Sequence, residues 1–205
     1  SINKIDKKLD IKPVSKSVEK INIKDKTSAD MYLGQYIGID RDHTDYYPLM
    51  LGIYILGGNF SARLMQTVRD EQGLTYGIGS SIGGSNFGTD GYWSTWGTFA
   101  PDLIEKGQNA TMDQINKWYK KGVFEKELIA KKSTITGSYK VALDTTSGLV
   151  SQILSNAERI KPISYLDEYA AIINNISLEE INNAISKYID PSKLTLVTAG
   201  SFNNT

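Results

Sequence analysis

Apolar and polar positions alternate along two segments of the chain, and each alternation predicts a β-strand. Residues 29–39 and 74–82 carry this period of two, which is typical of a strand with one face in the core. A turn at residues 83–86 leads into a returning strand at 91–99. Aromatic residues occupy both faces of the returning strand, so we expect it in the interior of the sheet.

Helical spacing of apolar residues follows the first of these strands. A helix capped by Thr44 or Asp45 is expected to run to Leu56. A glycine pair at residues 57–58 ends it, and a second helix begins shortly afterwards. The apolar face of that second helix is expected to comprise Phe60, Leu64, Met65 and Val68.

The second half of the chain is mainly helical. Helices are expected over residues 101–122 and 125–143, and a capping box at residues 177–180 begins another. Residues 149–160 carry the most regular apolar stripe in the sequence, which is typical of a helix that packs one face on a core. The last predicted strand covers residues 194–199.

The order of these elements predicts an α+β fold. Paired hairpin strands and grouped helices indicate a two-layer sandwich, in which a mostly antiparallel sheet has helices on one face. Residues 1–26 are rich in lysine and contain Pro13, so we interpret them as a linker that ends in a leading strand at residues 18–23. Residues 27–205 would then form the domain itself.

Composition narrows the range of functions. The 23 Lys and Arg balance 23 Asp and Glu, so no overall positive field would recruit nucleic acid or an anionic membrane surface. The longest apolar run, residues 46–58, is too short to span a bilayer. The chain has no Cys and a single His, His43. A catalytic zinc site usually takes three protein ligands, often two or more of them imidazoles, so we expect no such centre in this chain by itself.

The most distinctive chemistry lies between residues 57 and 77. A glycine-rich turn begins a short helix that carries Arg69, and a break at Gly73 begins a strand that carries Tyr76. This arrangement can bring a permanently charged guanidinium and a phenol together beside one flexible loop. Such a pair is suited to holding a peptide carbonyl.

The sequence resembles the C-terminal, non-zinc half of pitrilysin/insulinase-type metallopeptidases, a group that includes mitochondrial processing peptidase. Three motifs carry the resemblance: Leu-Gly-Gly-Asn-Phe-Ser-Ala-Arg-Leu at 56–64, Val-Arg-Asp-Glu at 68–71 and Gly-Leu-Thr-Tyr at 73–76. The likeness extends over residues 31–201. The spacing between Arg69 and Tyr76 is its most specific part.

The resemblance implies a peptidase built from two homologous halves, one of which holds zinc on an inverted H-x-x-E-H helix. That motif is absent from this sequence, so the resemblance implies the inactive half, with no cofactor of its own and with zinc in a partner half. The partner would be a separate subunit or an upstream part of the same polypeptide, and the substrate would be a peptide. Cleavage is therefore not expected from this domain in isolation.

The resemblance also implies roles for particular residues. Arg69 and Tyr76 would bind the peptide backbone and help to stabilise the tetrahedral intermediate that forms in the zinc-bearing half. Gly73 and Gly77 would let the protein backbone approach the substrate closely.

Plainer interpretations remain open. Arg69 would be a solvated residue paired with Asp70 or Glu71, and Tyr76 would be a core residue on the apolar face of its strand. The domain would then be a structural or interaction domain of the same fold without a peptidase role. A free-standing peptide-binding module that uses an exposed strand edge is a further alternative.

Overall fold

A computed structural model describes residues 16–85 and 90–202, and a five-stranded sheet forms one of its two layers. The strands are β1 (Val18–Asn22), β2 (Ala29–Tyr36), β3 (Thr75–Gly83), β4 (Tyr92–Phe99) and β5 (Thr195–Gly200). Their order in the sheet is β1-β5-β2-β4-β3. β1 runs parallel to β5, and the other three pairings are antiparallel. The interior position predicted for the returning strand is therefore confirmed, because β4 lies between β2 and β3.

Helices form the other layer. They are α1 (Tyr46–Gly57), a π-helix (Met65–Glu71), α2 (Ile104–Lys121), α3 (Glu125–Leu143), α4 (Thr146–Glu158), α5 (Tyr165–Asn175), α6 (Leu178–Tyr188) and a short 3₁₀-helix (Pro191–Lys193). The capping box before α6 is present, since Glu180 N donates to Ser177 Oγ at 3.2 Å.

The side-chain cap predicted for α1 is absent. Asp45 is the residue that precedes this helix, but its carboxylate makes no hydrogen bond to the helix N–H groups. It accepts hydrogen bonds from Lys187 Nζ and from the Tyr188 hydroxyl instead, each at 2.7 Å. The prediction was wrong because a charged partner at the end of α6 takes the carboxylate that would otherwise have capped α1.

The core lies between the helices and one face of the sheet. Trp93 of β4 is fully buried, and its indole donates to Ser80 Oγ on β3 at 2.7 Å. The Trp93 ring lies 6.0 Å from the ring of Trp118 on α2. Trp118 donates in turn to the carbonyl of Gly52 in α1 at 3.0 Å. The predicted α+β two-layer sandwich is confirmed.

The most regular apolar stripe of the sequence does not contribute to this core. It lies on α4, where Leu154 is 57% exposed and Val150 is exposed to a similar degree. The polar side of α4 faces inward: Asn156 is buried, and the Arg159 guanidinium just beyond the helix donates to Asp42 at 2.8 Å. A prediction that the stripe packs on the core is wrong, because the ion pair of Arg159 and the packing of α4 on α3 and α5 orient the helix the other way.

The predicted leading strand is present as β1, at the edge of the sheet beside β5. All five of its residues are exposed. Most of the predicted linker, residues 1–15, lies outside the described residues, as does the far side of the turn that begins at residue 83. The boundary at residue 27 stays a prediction. Among the helices described, none combines the length and apolar character needed to cross a membrane.

Candidate functional site

Arg69 lies on the π-helix, which covers Met65–Glu71. Val68 is fully buried and anchors this helix on the core. The helix ends where Gly73 N donates to the Arg69 carbonyl at 2.9 Å. Gly73 has a φ of +62° and nothing within 4 Å of the place where a Cβ would stand. The positive φ therefore favours glycine at position 73, because residues with a side chain disfavour this backbone conformation. The space around the position would not exclude a Cβ.

Phe60 does not belong to the apolar face of this helix, contrary to the sequence prediction. It is 77% exposed, whereas Leu64, Met65 and Val68 are buried as predicted. Phe60 lies in the turn that precedes the helix, where Ala62 N donates to the Asn59 carbonyl at 3.0 Å. The helical period does not yet apply there, so Phe60 projects from the surface.

A β-bulge places Tyr76 on the surface of the sheet edge. Thr75 pairs with Phe99 of β4. The next pair is Gly77 with Thr98, so Tyr76 has no cross-strand partner. The Thr75 hydroxyl occupies the bulge, where it accepts from Gly77 N at 3.1 Å and lies within hydrogen-bonding distance of the Gly77 and Thr98 carbonyls. Tyr76 is consequently 90% exposed, and its interpretation as a core residue is wrong.

The side chains of Arg69 and Tyr76 lie next to each other. The guanidinium carbon is 5.7 Å from the centre of the Tyr76 ring and 6.0 Å from the centre of the Phe60 ring. Both distances are within the range of cation–π attraction. Arg69 Nη1 also donates to Asp70 Oδ1 at 3.0 Å. The ion pair expected from the plainer interpretation is thus present together with the ring contacts.

This arrangement leaves hydrogen-bond donors available at the surface. A guanidinium carries five N–H donors in a fixed plane, and Asp70 is its hydrogen-bond acceptor within the described part of the chain. Tyr76 is exposed, so its hydroxyl is accessible as a further donor. A guanidinium and a phenol, each with hydrogen-bond donors, therefore lie side by side at this surface.

An open cavity of about 620 Å³ borders the pair. The end of α1 and the following turn form one wall, the π-helix forms the second, and β3 with Trp96 forms the third. The indole of Trp96 lies close against β3: a Cβ added to Gly79 would stand only 2.8 Å from its Nε1. Gly77, predicted as a substrate-binding residue, lines the cavity beside this indole.

A buried lysine fastens the turn that carries Phe60. Lys131 on α3 donates from Nζ to Asn59 Oδ1 at 2.8 Å and to Ser61 Oγ at 2.6 Å. Burial lowers the pKa of the Lys131 ammonium, and the charge of Glu127 partly offsets this effect. Lys131 could not be identified from the sequence, because a lysine in a helix of mixed polarity gives no sign that it is buried.

An ion pair with α3 holds Arg63, at the end of the same turn. Arg63 donates to both carboxylate oxygens of Glu127, each at 2.6 Å, and to the Gly122 carbonyl at 2.9 Å. Burial raises the pKa of Glu127, but the hydrogen bonds from Arg63 and from the Phe124 N–H outweigh it, so the pKa lies below its ordinary value of 4.5. The turn is therefore fixed to α3 on both sides of Ala62.

The described residues do not provide a zinc centre. Within residues 16–85 and 90–202, no three His, Cys, Asp or Glu side chains are grouped so that they could hold a metal ion. His43, the single histidine, accepts a hydrogen bond from Asp45 N at its Nδ1, 3.0 Å away.

The fold and the site together define a class of protein: a two-layer α+β domain in which a partly exposed Arg69 and an exposed Tyr76 border an open cavity. The sequence model of the family described as the peptidase M16 inactive domain matches residues 2–135, more than half of the chain. The chain belongs to this family. It is a non-catalytic domain of the kind found in zinc protease-like proteins.

Individual relatives agree with this assignment. The chain is 27% identical over 165 residues to an uncharacterized zinc protease, YmxG, of Bacillus subtilis, covering 80% of this chain and 40% of the relative. It is 25% identical over 182 residues to the non-peptidase homolog YmxG of Helicobacter pylori, covering 88% of this chain and 41% of that one. The crystal structure of a peptidase M16 inactive domain from Pseudomonas fluorescens matches 93% of this chain and 45% of its own, with a TM-score of 0.80 and 28% identity. The chain thus spans less than half the length of each of these relatives.

Proposed function

We propose that this domain is the substrate-binding, non-catalytic half of a zinc metallopeptidase. Arg69 and Tyr76 hold the backbone of a peptide whose scissile bond is attacked in a zinc-bearing partner half. The observation that carries the proposal is the position of the Arg69 guanidinium, 5.7 Å from the ring of the exposed Tyr76 at the mouth of a cavity. The partner half, which lies in the same polypeptide or in a second subunit, supplies the metal.

The two side chains have different tasks in this proposal. The Arg69 fork binds carbonyl oxygens of an extended peptide in the ground state, as a rigid and permanently charged donor. The Tyr76 hydroxyl donates to the scissile carbonyl oxygen as that oxygen gains negative charge. Because the second interaction strengthens along the reaction, its loss slows the chemical step more than it weakens binding.

The test combines this domain with its zinc-bearing half and measures cleavage of a fluorogenic peptide. Tyr76→Phe is expected to lower kcat by about 10²–10³-fold with a smaller effect on KM. Arg69→Ala is expected to raise KM and to lower kcat/KM. Equal kinetic constants for wild type and both variants would end the proposal.

Asp70→Asn is the matched control for the ion pair. It removes the partner of Arg69 and leaves the guanidinium in place, so substrate binding should be retained. If Asp70→Asn instead impairs cleavage as much as Arg69→Ala, Arg69 acts through its pair with Asp70, and its proposed contact with the peptide is wrong.

The second candidate is a structural or interaction domain without a peptidase role. The Helicobacter pylori relative, described as a non-peptidase homolog, favours it. This candidate predicts that the domain and its variants assemble with the partner half, as measured by size-exclusion chromatography. It also predicts that the assembled pair cleaves no peptide, in wild type or in any variant.

A further inference from the structure

A small polar cavity lies between α3, α4, α5 and the segment that precedes α1. Its volume is about 110 Å³, which is the room taken by about three or four water molecules. The segment before α1 contributes Arg41 to its lining, and α4 contributes Gln152 and Asn156. Tyr165 and Tyr169 come from α5. Among the described residues, none lines both this polar cavity and the cavity beside the Arg–Tyr pair.

Arg41 has no counter-ion at the polar cavity. Its guanidinium forms no hydrogen bond or ion pair with any residue that the structure describes, and its Nε is buried. A partly buried charge without a partner is unfavourable, and a guanidinium offers five N–H donors in a fixed plane. Arg41 therefore favours an acceptor with negative charge in this cavity.

The amides on α4 also lack partners. Asn156 is only 6% exposed, yet within residues 16–85 and 90–202 its side-chain amide makes no hydrogen bond. Gln152 lies one turn earlier on the same face of α4, and its amide is likewise unpaired in the described part of the chain. Because buried amides are normally hydrogen-bonded, these two indicate that an occupant of the cavity supplies the missing bonds.

The charges nearby favour an anion as that occupant. The Arg159 guanidinium carbon lies 5.6 Å, and Lys161 Nζ 5.8 Å, from the centre of the Tyr165 ring in the cavity wall. These two cations share one carboxylate, that of Asp42, at 2.8 and 3.0 Å. The group formed by Arg159, Lys161 and Asp42 therefore adds positive charge to that of Arg41.

We propose that the polar cavity binds a small free oxyanion of the size of inorganic phosphate or sulfate. Arg41 supplies charge-assisted hydrogen bonds, and the amide groups of Gln152 and Asn156 supply neutral donors. Burial raises the pKa of Tyr169 to about 12, so its hydroxyl stays protonated and is a further donor. Water would satisfy the amides, but an anion also neutralises Arg41. The small volume disfavours a phosphate group that is carried on a larger molecule.

A bound oxyanion would connect α4 to the segment before α1, so it should stabilise the folded chain. The melting temperature of the full chain is measured in sodium phosphate, sodium sulfate and sodium phenyl phosphate, with sodium chloride holding the ionic strength constant. Calorimetry gives the Kd of each anion. Phosphate and sulfate are expected to raise the melting temperature saturably, by about 3–6 °C at ten times the Kd. Phenyl phosphate should bind more weakly because its ring exceeds the space.

Two results of this experiment would overturn the proposal. The first is that neither phosphate nor sulfate binds saturably in the millimolar range, or that chloride alone gives the same rise in melting temperature. The second is that phenyl phosphate binds as tightly as phosphate, which would contradict a site for a small free anion.

Variants locate the bound anion. Arg41→Gln should weaken phosphate binding by about 10–100-fold, and Arg41→Lys, which retains the charge, should weaken it less. Asn156→Leu should also weaken binding by about 10-fold. Without phosphate, however, it should leave the stability close to that of wild type, because the amide it removes has no partner in the described part of the protein. A merely structural role of Asn156 predicts the reverse, a loss of stability with unchanged affinity.

Lys117→Gln is the matched control for charge. Lys117 lies on α2, where it pairs with Asp113 at 2.6 Å, and its loss removes one positive charge away from the polar cavity. Lys117→Gln should leave phosphate affinity unchanged. If it weakens binding as much as Arg41→Gln does, the anion responds only to net charge and the proposed site is wrong. Wild-type affinity in both Arg41→Gln and Asn156→Leu would likewise refute it.

Discussion

Arg69 makes two kinds of interaction, an ion pair and contacts with aromatic rings. The strengths of these interactions determine whether a substrate can bind its guanidinium. Its ion pair with Asp70 joins two partly exposed side chains, and exposed pairs of this kind contribute only about 0–1 kcal/mol. The rings of Phe60 and Tyr76 attract the guanidinium without occupying its N–H donors. A peptide carbonyl can therefore take the place of Asp70 at small cost, while the rings keep the guanidinium in position.

The backbone conformation of Gly73 gives a stability prediction with an internal control. Gly73 and Gly137 both have open space where a Cβ would stand, but Gly73 has a positive φ and Gly137 lies within α3. Gly73→Ala should destabilise the domain by about 1–2 kcal/mol, because L-residues disfavour the left-handed conformation. Gly137→Ala should stabilise it by about 0.5–1 kcal/mol, because glycine is a poor helix former. Urea denaturation measures both changes, and equal signs for the two variants would contradict this account.

At the scale of secondary-structure elements, local pattern predicted where β3 lies but not the bulge within it. The alternation over residues 74–82 placed Tyr76 and Ile78 on the same face of a regular strand. Ile78 is buried, and Tyr76 is exposed. The bulge depends on the cross-strand partners Phe99 and Thr98, which the local pattern of β3 does not reveal. The orientation of α4 escaped prediction for a similar reason, since periodicity identifies an apolar stripe but not what covers it.

The hydroxyl of Thr75 is expected to maintain the bulge. Thr75→Val keeps the shape of the side chain but removes the acceptor of the Gly77 N–H, so the domain should lose about 1–3 kcal/mol of stability. Thr75→Ser retains the hydroxyl and should lose less. Hydrogen exchange at the Gly77 amide, together with urea denaturation, checks both variants. Unchanged exchange in Thr75→Val would show that the backbone holds the bulge without the hydroxyl.

At the scale of the whole molecule, the order of strands and helices could be predicted, but the long-range contacts that fix the site could not. The positions of the strands and of most helices followed from periodicity and glycine breaks, but α5 was not predicted. The turn after α1, in contrast, is held by Lys131 and Glu127, which are 70 and 64 residues away from their partners Ser61 and Arg63. Such contacts follow from the packing of α3 against α1, and no short motif in one segment indicates them.

Several carboxylates that join distant parts of the chain make its stability dependent on pH. Hydrogen bonds from Lys187 and Tyr188 hold the pKa of Asp45 below its ordinary value. Burial raises the pKa of Asp42, but Lys161 and Arg159 outweigh this and lower it. A carboxyl group with a lowered pKa stabilises the folded state when it is ionised. That stabilisation is present above the pKa of the unfolded chain and is lost as pH falls through the lower pKa of the folded state.

Glu127 gives this dependence a direct test, because its pKa is lowered and it is bonded to Arg63 beside the cavity. Glu127→Gln should cost about 1.5–3 kcal/mol at neutral pH, since a hydrogen-bonded charge is lost. From about pH 7 to about pH 3 the variant should lose less stability than wild type, because one of the titrating groups is gone. Glu125→Gln, on the exposed side of the same helix turn, is the matched control and should follow the wild-type curve. Urea denaturation across this pH range measures all three proteins, and parallel curves for wild type and Glu127→Gln would show that the Arg63–Glu127 pair does not contribute to acid sensitivity.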